Sequence, residues 1–342
     1  MRAMMNHTLR TTPRRLSIVV PLYNEADSVA ALHRQLEALA ARLDQAHGLA
    51  VEAIYVDDGS RDGSAGIIAA LPEGRVRVEL IRLSRNFGKE AALTAGLDAA
   101  MGDAVVFMDS DGQHPPELID TFVRHWLGDG DDIVYAVRCR RRAGPVYRLL
   151  VKSFYGLMNA GNTFRITPDA ADFRLLSARA AEALRGMRER GRFFKGLSVW
   201  VGFQQRRIDY QPAERIGGTT KWSFWKLLLL SLNGITSFSR VPLRISTLLG
   251  FAMALTAFAY GLWITVVCLA EGVALPGVPG VIAILVLIGG VLLINLGILG
   301  EYLGQILDEV KDRPLYVVAE HVRRDHVDEM SHVLQAYHAG RR

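Results

Sequence analysis

The chain has 342 residues and a formal net charge of +5, from 40 Lys and Arg against 35 Asp and Glu; half of it is hydrophobic, 22% is charged, and the mean hydropathy is +0.17. This composition excludes a disordered chain and is too apolar for an ordinary soluble one, so a membrane part is expected. The modest basic excess suits a phosphate-rich ligand or anionic lipid headgroups, and two widely separated cysteines, Cys139 and Cys268, exclude a disulfide framework or a zinc site and point to a reducing compartment.

Residues 1–15 are basic but lack the apolar stretch of a secretory signal, and are expected as a loose arm. Apolar, strand-like runs then alternate with helix-like stretches, at Leu16–Val20, Val51–Val56, Val76–Leu83, Ala104–Met108 and Ile133–Val137. The first helix is expected to follow the capping-capable Asp27, with Val29, Leu32, Leu36, Leu39 and Leu43 spaced three and four apart on one face. Strand and helix alternating in this way predict an α/β fold with a largely parallel sheet covered on both faces, and in such sheets ligands bind beyond the carboxyl ends of the strands.

Polar clusters fall at those ends: Pro21-Leu-Tyr-Asn-Glu25 after the first strand, Asp57-Asp-Gly-Ser60 after the second and Asp109-Ser-Asp-Gly-Gln113 after the fourth. Each alone reads as an ordinary Asp-Gly turn. Three in register ask for a counter-charge, which a divalent cation shared with a diphosphate would supply through carboxylate and amide oxygens. No G-x-G-x-x-G follows the first strand and no G-x-x-x-x-G-K-[ST] occurs, so the dinucleotide and P-loop fingerprints are missing.

Further along, Arg138 is read as substrate-facing. The basic run Arg140–Arg142, with Arg148 and Lys152, reads as an anionic-lipid footing worth about 1 kcal/mol per charge, or as a solvated face. Arg192 and Lys195 flank two phenylalanines, combining cations for a phosphate with aromatics for a lipid chain; a solvated basic turn is the alternative. Residues 222–244 are rich in Trp, Phe and Leu, but the uncharged run Leu227–Ser239 is too short to span a bilayer. An interfacial amphipathic segment is expected there, with a buried helix as the competitor. No charge occurs from Ile245 to Ala270 or from Gly272 to Gly300, and Val281–Leu299 contains fourteen Leu, Ile or Val. Two transmembrane helices, 245–270 and 280–300, are therefore expected in place of buried core helices, which rarely lack charge for so long. Lys226, Arg240, Arg244, Lys311 and Arg313 flank the hairpin while its connection has no Lys or Arg, which places both termini and the 301–342 tail on the cytoplasmic side of the inner membrane. Gly289, Gly290, Gly297 and Gly300 permit close helix packing and a homo-oligomer.

Taken together, Pro21–Glu25, Asp57–Ser60, Leu83-Ser-Arg-Asn-Phe-Gly-Lys-Glu90, Asp109–Gln113, Ala171-Asp-Phe-Arg-Leu175, Arg192-Phe-Phe-Lys-Gly-Leu197 and Arg215–Trp222 resemble glycosyltransferase family 2. The likeness is to its polyprenyl-phosphate sugar synthases, of the bactoprenol glucosyltransferase and dolichol-phosphate mannose synthase type, and it covers nearly the whole chain. The resemblance implies a GT-A catalytic domain over 16–221. It implies a cell-envelope enzyme that transfers one sugar, with inversion, from a nucleotide diphosphate sugar, uridine being favoured, to undecaprenyl phosphate. By the same likeness Pro21, Tyr23, Glu25, Asp57 and Asp58 face the nucleotide, and Asp109, Asp111 and Gln113 hold Mg²⁺ or Mn²⁺ with the diphosphate. Arg138, Arg215 and Lys221 serve the donor phosphates. Asp172 matches the proposed base, and Asp111 is counted with it as catalytic; Arg174, Arg192 and Lys195 are placed at the acceptor phosphate. Gly112 and Ala171 depart from the family pattern, where Leu and Gly are usual.

Because a phosphate monoester is mostly dianionic at pH 7, the acceptor hardly needs a strong base, and Asp172 is expected mainly to orient the acceptor or a neighbouring cation. A processive polysaccharide synthase is disfavoured, as no Arg-Trp pair occurs and two spans make a poor polymer channel; a non-catalytic membrane scaffold is disfavoured by the intact polar set. Nothing in the chain suggests a nucleic-acid partner.

Overall fold

The computed structural model describes residues 14–139, 151–152, 155–156, 159, 165–168, 170–212, 241–271 and 278–323. Arg215, Lys221, the run Arg140–Arg142 with Arg148, the 1–13 part of the arm and most of the 222–244 segment lie outside them. The elements run β1 (Arg14–Leu22), α1 (Ala26–His47), β2 (Leu49–Asp57), α2 (Ser64–Ala69), β3 (Val76–Leu83), α3 (Lys89–Ala99), β4 (Ala104–Phe107), α4 (Glu117–Arg124) with a π-turn at His125–Asp129, and β5 (Ile133–Arg138). They continue with β6 (Ala170–Ser177), α5 (Ala178–Arg185), α6 (Phe194–Trp200), β7 (Gln205–Tyr210), α7 (Val241–Glu271), α8 (Val278–Val310) and β8 (Val318–Arg323).

The five expected strands form the sheet's frame, in the order β7-β5-β6-β4-β1-β2-β3-β8. Pairings β1·β2, β1·β4, β2·β3 and β5·β7 are parallel, while β6 and β8 enter antiparallel to their neighbours, so the sheet is mixed and Rossmann-like. α1, α2 and α4 cover one face; α3, α5 and α6 cover the other. The α1 stripe Val29, Leu32, Leu36, Leu39 and Leu43 is wholly buried, each such side chain contributing about 1.5–3 kcal/mol relative to exposure.

Asp27 does not cap this helix. It sits inside the first turn, where its charge still faces the positive helix end, and the Ala26 N–H is met instead by Asp62 Oδ2 at 3.0 Å, from the loop after β2. A contact across 36 residues has no local pattern to announce it.

Of the two long apolar helices, α7 has 31 residues and α8 has 33. Both contain a segment long and apolar enough to cross a membrane, Leu243–Trp263 and Leu287–Val310. Their side chains face outward, with Leu255 59% and Leu293 69% exposed. Polar side chains within them are satisfied locally: Asn295 Nδ2 donates to the Val291 carbonyl at 2.8 Å and Thr256 Oγ1 to that of Ala252, also at 2.8 Å. α8 runs ten residues past the expected end at 300, because no breaker precedes Asp312 (φ 44) and Pro314. Its last turn docks on the loop before α6: the Arg190 N–H donates to Glu309 Oε1 at 2.7 Å, and Arg190 Nη2 lies 3.6 Å from Asp312. The chain then returns as β8 on the free edge of β3, with Tyr316 Oη donating to Asp98 Oδ2 at 2.7 Å.

Candidate active site

Six strand ends meet at one rim of the sheet. The carboxyl ends of β1, β2, β4, β5 and β7 and the amino end of β6 bring Pro21–Glu25, Asp57–Asp58, Asp109–Gln113, Arg138, Tyr210 and Asp172 to the same edge. A cavity of about 530 Å³ opens there, lined among others by Pro21, Tyr23, Glu25, Asp58, Lys89, Asp109 and Asp111, a size that suits a small-molecule ligand. A second cavity of about 390 Å³ continues from it past Tyr23 and Asn86 to Arg82, Arg85 and Ala319 of β8.

The β1 end turns sharply into α1 through Asn24, whose left-handed backbone (φ 55) is one that asparagine tolerates. The turn is fastened to the loop after β2: the Asn24 N–H donates to Ser60 Oγ at 2.9 Å, and Asn24 Oδ1 accepts from the Arg61 N–H at 2.9 Å. Gly59 in that loop is left-handed (φ 73), and a Cβ there would meet the Arg85 carbonyl carbon at 2.7 Å, so glycine alone fits. Asp57 is wholly buried, with Oδ1 accepting from the Ser60 N–H at 2.8 Å and Oδ2 3.7 Å from Arg82 Nε. Asp58 accepts from the Phe87 and Gly88 N–H groups at 2.7 and 2.9 Å, and burial raises its pKa. The two expected nucleotide carboxylates thus differ: Asp57 braces its own turn, while Asp58 anchors the loop before α3 and still lines the cavity.

Asp109 follows β4. Its N–H donates to His114 Nδ1 at 3.0 Å, and His114, wholly buried, is stacked on Phe173 with ring centroids 4.8 Å apart. Burial pushes the His114 pKa down to about 4, so the ring is neutral. Gln113 donates its N–H to Asp111 Oδ1 at 3.0 Å, across Gly112, whose φ of 77 uses the freedom glycine gives where Leu is usual. Asp109 and Asp111 line the cavity and Gln113 follows two residues on; carboxylate and amide oxygens of this kind fit a hard divalent cation such as Mg²⁺ or Mn²⁺. Arg138 at the end of β5 donates from Nε to Tyr210 Oη at 3.2 Å; burial works against its charge, but Tyr210 first, and then Asp109 and Asp111, raise its pKa.

Asp172 is the best-compensated group of the rim. Lys89 Nζ donates to Asp172 Oδ2 at 2.7 Å and lies 2.5 Å from Asp109 Oδ1; Lys195 Nζ is 3.7 Å from Asp172 Oδ1. Burial alone would raise the Asp172 pKa, but the charges of Lys89, Lys195 and Arg174 outweigh it and hold the carboxyl far below the usual range. Lys89, first residue of α3, lies in a segment that resembles the family, but its spacing in the sequence signals no role; only the fold brings it to two carboxylates, one of them 83 residues away. Its neighbour Glu90 accepts from the Phe194 N–H at 2.9 Å, and burial with the Asp172 charge pushes it up to about 7.

Two of the three residues expected at an acceptor phosphate are turned inward. Arg174 is 2% exposed and donates to the Ser198 hydroxyl and, at 2.9 Å, to the Ala171 carbonyl. Two residues on from Asp172, it shares that residue's side of β6, so its charge reaches Asp172 from within the protein. Arg192 is 8% exposed, and its guanidinium donates to the Met187 carbonyl. Lys195 stays at the rim. A separate group, His125, Asp129 and Asp131, lies at the opposite edge of the sheet, where Arg206 already sits 2.9 Å from Asp131 and 3.7 Å from Asp129.

The description Glycosyl transferase family 2 matches residues 17–184. A full-length likeness decides the matter: an uncharacterized glycosyltransferase from Synechocystis is 40% identical over 307 residues, 89% of this chain and 95% of its own. The chain belongs to glycosyltransferase family 2. The SfII prophage-derived bactoprenol glucosyl transferase from Shigella flexneri is 39% identical over 305 residues, covering 89% of this chain and 97% of its own. Among solved structures, glucosyl-3-phosphoglycerate synthase from Mycobacterium tuberculosis in complex with Mn²⁺ and UDP-glucose is similar over 65% of this chain and 77% of its own, at 21% identity and a TM-score of 0.41. This family 2 transferase has a GT-A, Rossmann-like mixed sheet followed by two apolar helices of membrane-crossing length.

Proposed function

We propose that this transferase moves a single sugar, with inversion, from a nucleotide diphosphate sugar, UDP-linked, to a polyprenyl phosphate at the cytoplasmic face of the inner membrane. The observation that carries the reading is the meeting of Asp109, Asp111, Asp172, Lys89, Lys195 and Arg138 at one cavity rim, in a chain that matches a bactoprenol glucosyl transferase over nearly its whole length. The helices α7 and α8 would span the bilayer and keep the rim close to a lipid headgroup.

Pro21, Tyr23 and Asp58 line the wall on which the nucleoside would rest, and Glu25 stands at its edge. Asp109, Asp111 and Gln113 would hold Mg²⁺ or Mn²⁺, which supplies Lewis-acid neutralisation of the departing diphosphate. Arg138 adds a fixed positive charge on that side, and Arg215 and Lys221 are assigned there from the family motif. On the other side the acceptor arrives largely as a dianion and needs alignment more than deprotonation. Asp172, kept ionised by its cations, is too weak a base to take the acceptor's proton and serves to fix the ammonium groups of Lys89 and Lys195. Those ammonium groups attract the acceptor phosphate as point charges. Arg174 adds its charge to Asp172 from within the protein.

The test is transfer from a panel of nucleotide sugars to undecaprenyl phosphate by the detergent-purified full chain with Mg²⁺ or Mn²⁺. Cation-dependent, chelator-sensitive formation of one lipid-linked sugar is expected; absence of transfer from every uridine or guanosine donor overturns the reading.

A further inference from the structure

The ammonium of Lys89 lies between the first carboxylate of the metal set and the carboxylate on the acceptor side, 2.5 Å from Asp109 Oδ1 and 2.7 Å from Asp172 Oδ2. Two part-buried carboxylates at adjoining strand ends repel one another unless a cation lies between them, and Lys89 is the group that does so here. Its placement is built into the fold. Gly88, with φ 99, turns the chain into α3, Asp58 grips the Gly88 N–H, and Lys89 is the first helical residue, so its Cα is fixed against the rim.

The two partners differ in what else they hold. Asp172 has a second ammonium, Lys195, 3.7 Å from Oδ1, and that oxygen is buried and accepts no hydrogen bond. Asp109 faces His114 Nε2 at 3.8 Å, but His114 Nδ1 accepts the Asp109 N–H and so carries no proton, which leaves that ring without a full positive charge to offer Asp109. Asp109 is therefore the partner that a stronger cation would take over, and Asp172 the one on which the ammonium would stay.

We propose that Lys89 is an exchangeable counter-ion and positioning residue: it occupies the cation position between Asp109 and Asp172 until a divalent cation takes its place at Asp109, and it then remains on Asp172. This rests on the cation-dependent reading of the site and adds a coupling to it. Divalent-cation binding must displace an ammonium, so the free enzyme holds the metal weakly, and the same event frees one side of Lys89 for the acceptor phosphate.

The experiment is Mn²⁺ titration of the full chain in detergent, followed by electron paramagnetic resonance of the free ion, with and without UDP, for the wild type, Lys89→Met and Lys89→Gln. Loss of the competing ammonium should tighten Mn²⁺ binding in the absence of nucleotide on the order of tenfold, the scale on which one unit charge a few ångströms away changes a carboxylate's affinity for a cation. The same variants should lose on the order of a hundredfold in kcat, as misplacement of an aligning group does. Tighter metal binding with slower turnover is a split that structural damage does not produce. Unchanged or weaker Mn²⁺ binding in folded variants overturns the proposal while leaving the functional reading intact. No Mn²⁺ binding by the wild type, with or without UDP, overturns the cation-dependent reading itself. If both variants fail to fold by circular dichroism, Lys89 is a structural residue and the proposal falls.

Discussion

Asp172, Glu90 and His114 are three titratable groups whose neighbours set their charge, and each gives a distinct expectation. Asp172→Asn removes the charge that fixes two ammonium groups, and turnover should drop on the order of a hundredfold; measured over two further pH units upward, the deficit should persist, since recovery would mean that proton abstraction, not alignment, was lost. Glu90, pushed up to about 7 from 4.5, keeps a proton in the folded protein that the unfolded chain has already released. Its contribution therefore turns unfavourable progressively between pH 4.5 and 7. His114 works the other way: neutral in the fold down to about 4, it loses stability for the protein as the unfolded chain gains its proton below 6.5. The two effects oppose each other over a shared window, so the wild-type melting temperature should vary little there. Glu90→Gln keeps an acceptor for the Phe194 N–H and should expose the rising His114 limb, gaining up to roughly 3 kcal/mol over wild type above pH 7 and nothing at pH 4.5. A melting curve that falls with pH in that variant would contradict the assignment.

At the scale of elements, the join between α8 and the catalytic sheet is the unexpected feature. Glu309 and Asp312 hold the loop at Arg190, five residues ahead of Lys195, and β8 covers the β3 edge and places Ala319 on the wall of the second cavity. The same loop enters α6, whose Phe194 N–H is bound by Glu90 beside Asp172. The apolar hairpin is thus tied mechanically to both sides of the rim. Tyr316→Phe combined with Glu309→Ala removes two hydrogen bonds to charged groups, each worth about 1.5–3 kcal/mol where buried and less at this half-open joint. Melting a few degrees lower and weaker UDP affinity by isothermal titration are both expected; a stability change with unaltered UDP affinity would mean that β8 only covers an edge. The helices themselves make a plainer prediction. Leu255 faces outward near the middle of its span, and Leu255→Lys should cost about 2.5–3.5 kcal/mol of insertion, seen as a smaller membrane fraction after cell lysis.

For the molecule as a whole, chelation of divalent cations should abolish transfer while leaving the melting temperature little changed, because Lys89 remains to neutralise Asp109 and Asp172; collapse of the fold on chelation would show a structural metal instead. What could be read from residue order was whatever is local or periodic. The α1 stripe, the five parallel-frame strands, the charge-free runs of α7 and α8 and the acidic clusters at three strand ends all follow from spacing, since period and hydropathy are properties of neighbours in the chain. β6, β7 and β8 were not legible in that way: β6 is a short antiparallel insertion with charges at alternate positions, β7 is mostly polar, and β8 is an exposed edge strand beyond an apolar helix. The rim shows the same division. The sequence by itself determined which carboxylates would stand at strand ends, because a strand followed by an Asp-rich turn is a local statement. Only the tertiary structure decided that Asp57 would brace its own turn, that Arg174 would be buried, and that Lys89 would bridge Asp109 and Asp172. Those outcomes depend on distances between segments scores of residues apart, which are set by sheet order and helix packing and leave no trace in the spacing of neighbours.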